Sequence, residues 1–177
     1  MIIMIVGTVS VLLILWIVSC RRRLVVMDEN INNDMAQIDV QLSACFTALT
    51  ALLDLIRVYA PHDAKTLIET VKSCRHSVAP IFTAADVLRQ EGVIIEVMGR
   101  ISMVVEQNPN LKANRDYAKC INAVNGYQKM VCTSRLLYND SVGKLNRELR
   151  MFPTSLIGRA LGFRQREYLE TVEERRD

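Results

Sequence analysis

Residues 138–153, YNDSVGKLNRELRMFP, hold two Asn, one Asp and two Arg around Tyr138, Leu145 and Leu149. Asn139 and Asn146 lie seven residues apart, two helical turns, so on one helix they point the same way. Each directly follows an apolar stripe residue, Tyr138 or Leu145. Gln128 and Arg135 occupy the stripe itself. Amides and guanidinium groups position and hydrogen-bond their partners but rarely transfer protons. Catalysis needs, in addition, a nucleophile or an acid–base pair held by an orienting group. The residue types here fit a different task, fixing register and helix pairing from inside a bundle. Such groups must find hydrogen bonds once buried. Asp39, Gln128, Arg135, Tyr138, Asn139 and Asn146 are therefore expected to be internal specification residues. The alternative is a buried polar pocket around the same residues that binds a ligand or does chemistry.

The rest of the chain offers little chemistry. The two His are His62 and His76. Cys74 and His76 are two residues apart and face different ways on a helix. There is no H-E-x-x-H, no carboxylate–histidine pattern of the di-iron type, no Gly-rich phosphate loop and no G-x-S-x-G. Ser43 and Ser73 have no recognisable base in a motif. The five Cys, at 20, 45, 74, 120 and 132, form no C-x-x-C pair and are expected to be reduced, core-type residues. We expect no metal, no cofactor, no small-molecule substrate and no enzymatic activity.

Half of the 177 residues are apolar, yet only 6% are aromatic and seven are Gly. That balance favours helices over a sandwich or barrel. A net charge of +3 is too mild for a nucleic-acid binder.

The charge is unevenly placed. Residues 1–20, MIIMIVGTVSVLLILWIVSC, carry no charged side chain, and Arg21, Arg22 and Arg23 follow at once. About 20 uncharged residues cross a bilayer as a helix, so residues 1–20 are expected to anchor the chain in lipid. Basic residues gather on the cytoplasmic side. The expected topology is single-pass at a bacterial inner membrane, N-terminus outside and the bulk of the chain cytoplasmic. Trp16, Arg21, Arg22 and Arg23 would flank the inner boundary. A cleaved signal peptide would need basic residues before the apolar run. A lipoprotein reading, with Cys20 lipidated after Ile17-Val18-Ser19, needs the opposite orientation.

Ile31, Met35, Ile38, Leu42, Cys45, Leu49, Leu52 and Ile56 step by 4 and 3 in alternation, a heptad seam that predicts one coiled-coil-like helix over about 24–59. Ala60-Pro61 ends it. Leu67, Val71, Cys74, Val78 and Ile81 predict a second helix from about 63 to 79. Thr83-x-x-Asp86 could cap a third, with Gly92 as an interruption and Ile94, Met98, Ile101 and Val105 as its later seam. Asn108-Pro109-Asn110 predicts a turn. A last long helix is expected over 111–152, with Tyr117, Ile121, Val124, Val131, Tyr138, Val142, Leu145, Leu149 and Phe152 on its seam. The whole reads as all-α, an antiparallel bundle of about four long helices over 21–153 behind one transmembrane helix.

Residues 154–177 form an amphipathic piece and a charged tail expected to fray. In TSLIGRALGF, Leu156, Ile157, Ala160 and Leu161 share a face and Arg159 lies off it. Leu156, Ile157, Leu161 and Phe163 could lie on a lipid surface with Arg159 toward anionic headgroups, or the piece could fold back on the bundle end. Four antiparallel passes return this piece to the membrane end; three leave it at the far end.

Ala36-Gln37-Ile38-Asp39-Val40-Gln41-Leu42, Asn108-Pro109-Asn110-Leu111-Lys112-Ala113-Asn114, Arg135-Leu136-Leu137-Tyr138-Asn139, Asn146, Phe152-Pro153 and Gly162-Phe163 together resemble the LemA family over nearly the whole chain. The resemblance implies a bacterial protein, an N-terminal anchor and a cytoplasmic antiparallel bundle of long helices. It implies no particular activity. Two features depart from the family pattern. The run after Leu42 is Ser43-Ala44-Cys45-Phe46, where the family usually has a basic pair. Gln128 stands where the family tends to have Glu, so its contact with Arg135 would be polar rather than ionic. The function that fits these readings is a structural or protein-interaction scaffold at the membrane, with a protein partner or self-association. A membrane-surface sensor using 154–166 is a further alternative.

Overall fold

The structure is a computed structural model that describes residues 1–76 and 82–169. Among the described residues it is all helical: α1 Ile2–Ile56, α2 Pro61–His76, α3 Ala84–Gln107, α4 Pro109–Lys112, α5 Arg115–Arg150 and α6 Thr154–Ala160. Two compact units make up the chain. The first holds Met1–Asp34 and Leu136–Tyr168, and the second holds Met35–Arg135 with Leu169.

α1 is one helix of 55 residues, so the apolar run and the predicted seam helix are continuous. No Pro interrupts them. The helix stops at Ile56 rather than 59. The next turn closes by Tyr59 N–H donating to the Ile56 carbonyl, 2.8 Å. Pro61 then opens α2 at a first-turn position where its missing N–H costs nothing.

In the second unit the α1 seam is buried as read. Ile38, Leu42, Cys45, Leu49, Leu52 and Ile56 are fully enclosed, and Met35 is half-buried. Phe46 and Leu53 are enclosed too, one position beyond the seam, which widens the stripe. The Arg75 guanidinium of α2 donates to the carbonyl and hydroxyl of Ser43 and lies 6.0 Å from the Phe46 ring centroid. Cys45 Sγ lies 4.0 Å from the Val124 carbonyl of α5. Leu67, Val71 and Cys74 line the inner face of α2. Val78 and Ile81 lie outside the described residues.

α3 starts at the expected cap. The Thr83 hydroxyl accepts from Asp86 N–H at 3.3 Å, while Thr83 N–H donates to the Asp86 carboxylate at 3.1 Å. This reciprocal capping box is worth about 1 kcal/mol. Gly92 does not interrupt α3, which runs on to Gln107. Its buried residues are Val87, Gln90, Ile94, Val97, Ile101, Val104 and Val105, with Met98 only half-buried.

The expected helix over 111–152 is divided. Asn108 Nδ2 donates to the Val104 carbonyl at 2.8 Å and closes α3. Pro109–Lys112 makes a single helical turn in place of the simple turn expected at 108–110. Asn114 Oδ1 then accepts from Asp116 N–H at 2.8 Å, capping α5. Two Asn caps six residues apart outcompete a continuous helix there. At the other end α5 stops at Arg150, and Phe152 is 80% exposed rather than on the seam.

In the first unit, Leu24 and Ile31 of α1 and Tyr138, Val142, Leu145 and Leu149 of α5 are buried. α6 turns back onto this unit through Gly158. A Cβ built there would lie 2.5 Å from Leu149 Cδ2 and 3.8 Å from Leu24 Cδ1. The packed face of α6 therefore centres on Gly158. Leu156, Arg159, Ala160 and Leu161 are exposed, whereas Ile157 and Phe163 are half-buried. α6 ends in a Schellman motif: Phe163 N–H donates to the Gly158 carbonyl at 2.9 Å and Gly162 N–H to the Arg159 carbonyl at 3.2 Å. Gly162 sits at φ +81°, the left-handed position this motif needs.

Candidate functional site

The site follows from α5, whose polar residues divide between the two units. In the first unit, Asn146 is 4% exposed. Its Nδ2 donates to the Arg166 carbonyl at 2.9 Å, and its Oδ1 accepts from Arg166 N–H, also at 2.9 Å. An Asn amide offers one acceptor and one donor side, so it pairs with the N–H and C=O of one residue as a neighbouring strand would. Tyr138 Oη donates to the Glu167 carbonyl at 3.2 Å. Burial pushes the Tyr138 phenol up, with Arg166 opposing and Glu167 reinforcing that shift. The Arg166 guanidinium reaches Asp28 of α1 at 2.8 Å and 3.1 Å. Ser141 Oγ donates to Asp34 Oδ2 at 2.6 Å.

Residues 163–168 are thus an irregular strap held along α5, which corrects the expectation of fraying for 166–168. Residues 170–177 lie outside the described residues. Asn139, predicted as a twin of Asn146, is half-buried. The strap explains the difference, because its backbone passes over Asn146.

In the second unit, Arg135 is 9% exposed, and its Nη1 donates to both oxygens of Glu91 on α3, at 2.9 Å and 3.2 Å. The partner is therefore Glu91, and Gln128 is half-buried. Burial raises the Glu91 carboxyl above its ordinary value, and the charge and hydrogen bond of Arg135 pull the other way. Gln90 and Ser134, next to these two, are also buried. Glu91 escaped the sequence reading because it lies 44 residues from Arg135, in a region whose periodicity is weak. Asp39 is exposed, so it is not internal. The apolar stripe covers the position after the seam at Phe46 and Leu53 but not at Asp39.

A cleft of about 430 Å³ also opens in the second unit between α2 and α3, lined by His62, Asp63, Thr66, Leu67, Arg100, Met103, Val104 and Gln107. Most of these residues are exposed. Among the described residues, no group of three or more His, Cys, Asp or Glu side chains could hold a metal ion, and no buried side-chain N or O lacks a hydrogen bond.

The apolar start of α1 is long and apolar enough to cross a membrane, and none of that window is buried. Trp16 is 43% exposed, and Arg21, Arg22 and Arg23 are exposed at its end. Arg23 Nη2 lies 2.6 Å from Glu148 Oε1 of α5.

A sequence model of the LemA family matches residues 34–177. The chain belongs to the LemA family. No curated protein matches the chain. The LemA match begins where the first compact unit's α1 portion ends, so it takes in all of α2 to α6 and leaves the apolar run outside. Arg135, Asn146, Gly162 and Phe163, which carry the resemblance, hold the Glu91 ion pair, the strap and the Schellman turn.

Proposed function

We propose that this LemA-family chain is a single-pass, membrane-anchored helical scaffold whose cytoplasmic helices dock a protein partner or a second copy of the chain. One observation carries this reading. The polar residues that could have formed a site are engaged by the chain itself. Both sides of the Asn146 amide are on the Arg166 backbone, and Arg135 is on Glu91. Closed polar networks rigidify a fold and leave recognition to its outer faces. That favours a scaffold over a ligand-binding or enzymatic bundle with a pocket at these residues. An antiparallel bundle agrees with the pairing in the first unit, where Arg23 meets Glu148 and Asp34 meets Ser141.

The unburied apolar start of α1 supports the anchor, and the Arg collar after it supports a cytoplasmic bulk. Crosslinking in native membranes tests the reading. The intact chain is expected to give a discrete crosslinked species at the membrane. Deleting residues 1–20 is expected to release the chain to the soluble fraction. Asn146→Ala is expected to lower stability and partner crosslinking together, with helicity followed by circular dichroism. A crosslinked partner lost with stability unchanged would make Asn146 a contact residue and sink the internal role.

A further inference from the structure

The end of α5, α6 and the turn after it leave Met151, Phe152, Leu156 and Leu161 exposed by 54%, 80%, 61% and 43%. Four large apolar side chains in eleven residues are unusual on a surface facing water. Their place in the first unit says what covers them. Gly158 packs against Leu24, which lies four residues after the uncharged run ends at Cys20. At 1.5 Å per helical residue that is about 6 Å along α1. The headgroup layer on each side of the hydrocarbon is about 5–7 Å thick. The Arg23–Glu148 pair holds the end of α5 at the same level. Exposed apolar surface continues on α1 past the Arg collar, at Val25 and Val26.

The charge matches a lipid surface as well. Residues 147–166 hold five Arg and one Glu; that Glu is paired with Arg23, and Arg166 with Asp28 of α1. Arg159 and Arg164 are exposed beside the apolar rim.

We infer that this rim, Met151, Phe152, Leu156 and Leu161, is seated in the anionic headgroup layer of the bilayer that α1 crosses. The inference rests on the anchor reading above and deepens it. It makes the first unit a two-point attachment: α1 fixes depth, and α6 fixes the tilt and rotation of the chain against the surface. Each apolar side chain gains by leaving water, and each Arg near the surface adds attraction to anionic lipid that salt weakens.

The test uses the full chain in vesicles of phosphatidylcholine and phosphatidylglycerol carrying brominated acyl chains as quenchers. The native protein has one Trp, Trp16, which reports on the anchor. A second protein, Trp16→Phe with Phe152→Trp, reports on the rim at an 80% exposed position that tolerates the larger ring. Circular dichroism checks that both fold. The expected result is quenching of Trp16 by bromine in the acyl chain. The rim reporter is expected to shift to the blue, to be quenched by bromine placed high in the acyl chain, and to be shielded from iodide. Adding Arg159→Glu to the rim reporter is expected to weaken that quenching in anionic vesicles. Quenching of Trp16 with an iodide-accessible rim reporter overturns the inference and leaves the anchor standing. Shielding from iodide without bromine quenching means protein covers the rim, and also overturns it. A Trp16 that bromine does not reach overturns the anchor and the inference together.

Discussion

Asn146 holds the backbone of Arg166 by both its groups, donating to the carbonyl and accepting from the N–H, each at 2.9 Å. A side-chain amide 20 residues away thus does the work of a neighbouring strand. The pairing turns a charged, irregular segment into part of the first unit.

Asn146→Ala removes both bonds and leaves the Arg166 N–H and carbonyl partly buried without that partner. The expected loss is about 1–3 kcal/mol, set by the desolvation of the orphaned groups. For a chain of this size that lowers the melting midpoint by several degrees. The strap should open before the helices do. Limited trypsin digestion should therefore cut after Arg164 and Arg166 faster in the variant than in the native chain. An unchanged cutting rate would mean that the strap is held chiefly by Tyr138 and Asp28.

Gly162 and Gly158 should respond differently to the same substitution. Gly162 sits at φ +81° with open space around it. Gly162→Ala is expected to cost about 1–2 kcal/mol from the left-handed backbone alone. Gly158 is helical, and its new Cβ would meet the far end of the flexible Leu149 side chain. Gly158→Ala gains about 1 kcal/mol of helix propensity, which offsets the shift Leu149 must make. Urea unfolding of the two variants measures the contrast. Equal costs would mean that α6 is held against Leu149 too rigidly to adjust.

The seam was legible because its cause is local. Period alone decides which face of α1 is dry, so Ile38, Leu42, Cys45, Leu49, Leu52 and Ile56 could be read in order. Thr83 and Asp86 were legible for the same reason, since a capping box is complete within four residues. The partners of the polar residues were not. Arg135 announces a buried charge, but nothing in its neighbourhood points to Glu91 on another helix. Asn146 announces a buried amide, but its partner is a backbone unit, which has no side-chain signature. Asp39 was misread because a residue beside a seam faces the core or the solvent according to the width of the apolar stripe. Phe46 and Leu53 hold the same position relative to the seam as Asp39, seven and fourteen residues further on, and are enclosed, so the stripe is wider around them than at Asp39.

Cys45 and Cys132 should differ sharply as thiols. Cys45 is fully enclosed, and burial pushes its thiol up to about 11. Cys132 is exposed on α5. The thiolate is the reactive form. Iodoacetamide at pH 8 should label Cys132 within the first phase of reaction and Cys45 only on unfolding, as read by peptide mass after quenching. Early labelling of Cys45 would show that the second unit opens locally around α1.

The Glu91–Arg135 pair makes the last prediction, because two opposing effects act on one carboxyl. Burial favours the neutral acid, and Arg135 favours the carboxylate; burial is the larger. The folded-state pKa of Glu91 therefore lies above its unfolded value. For such a group the favourable contribution is complete below the unfolded pKa and is lost as pH rises through the folded one. From about pH 4 upward, the native chain should thus lose stability relative to Glu91→Gln, whose amide keeps a hydrogen bond to Arg135 without titrating. Arg135→Met removes the one effect that lowers the pKa. It should raise the Glu91 pKa further and destabilise the chain at neutral pH by about 3 kcal/mol, since it leaves a mostly buried carboxylate unpaired. Replacing both, Glu91→Leu with Arg135→Met, should recover most of that loss. Urea unfolding across pH gives the stabilities, and a carbon NMR titration of the Glu91 carboxyl gives the pKa directly. A Glu91 that titrates at or below the ordinary glutamate value would mean that pairing outweighs burial, and the pH dependence would then run the other way.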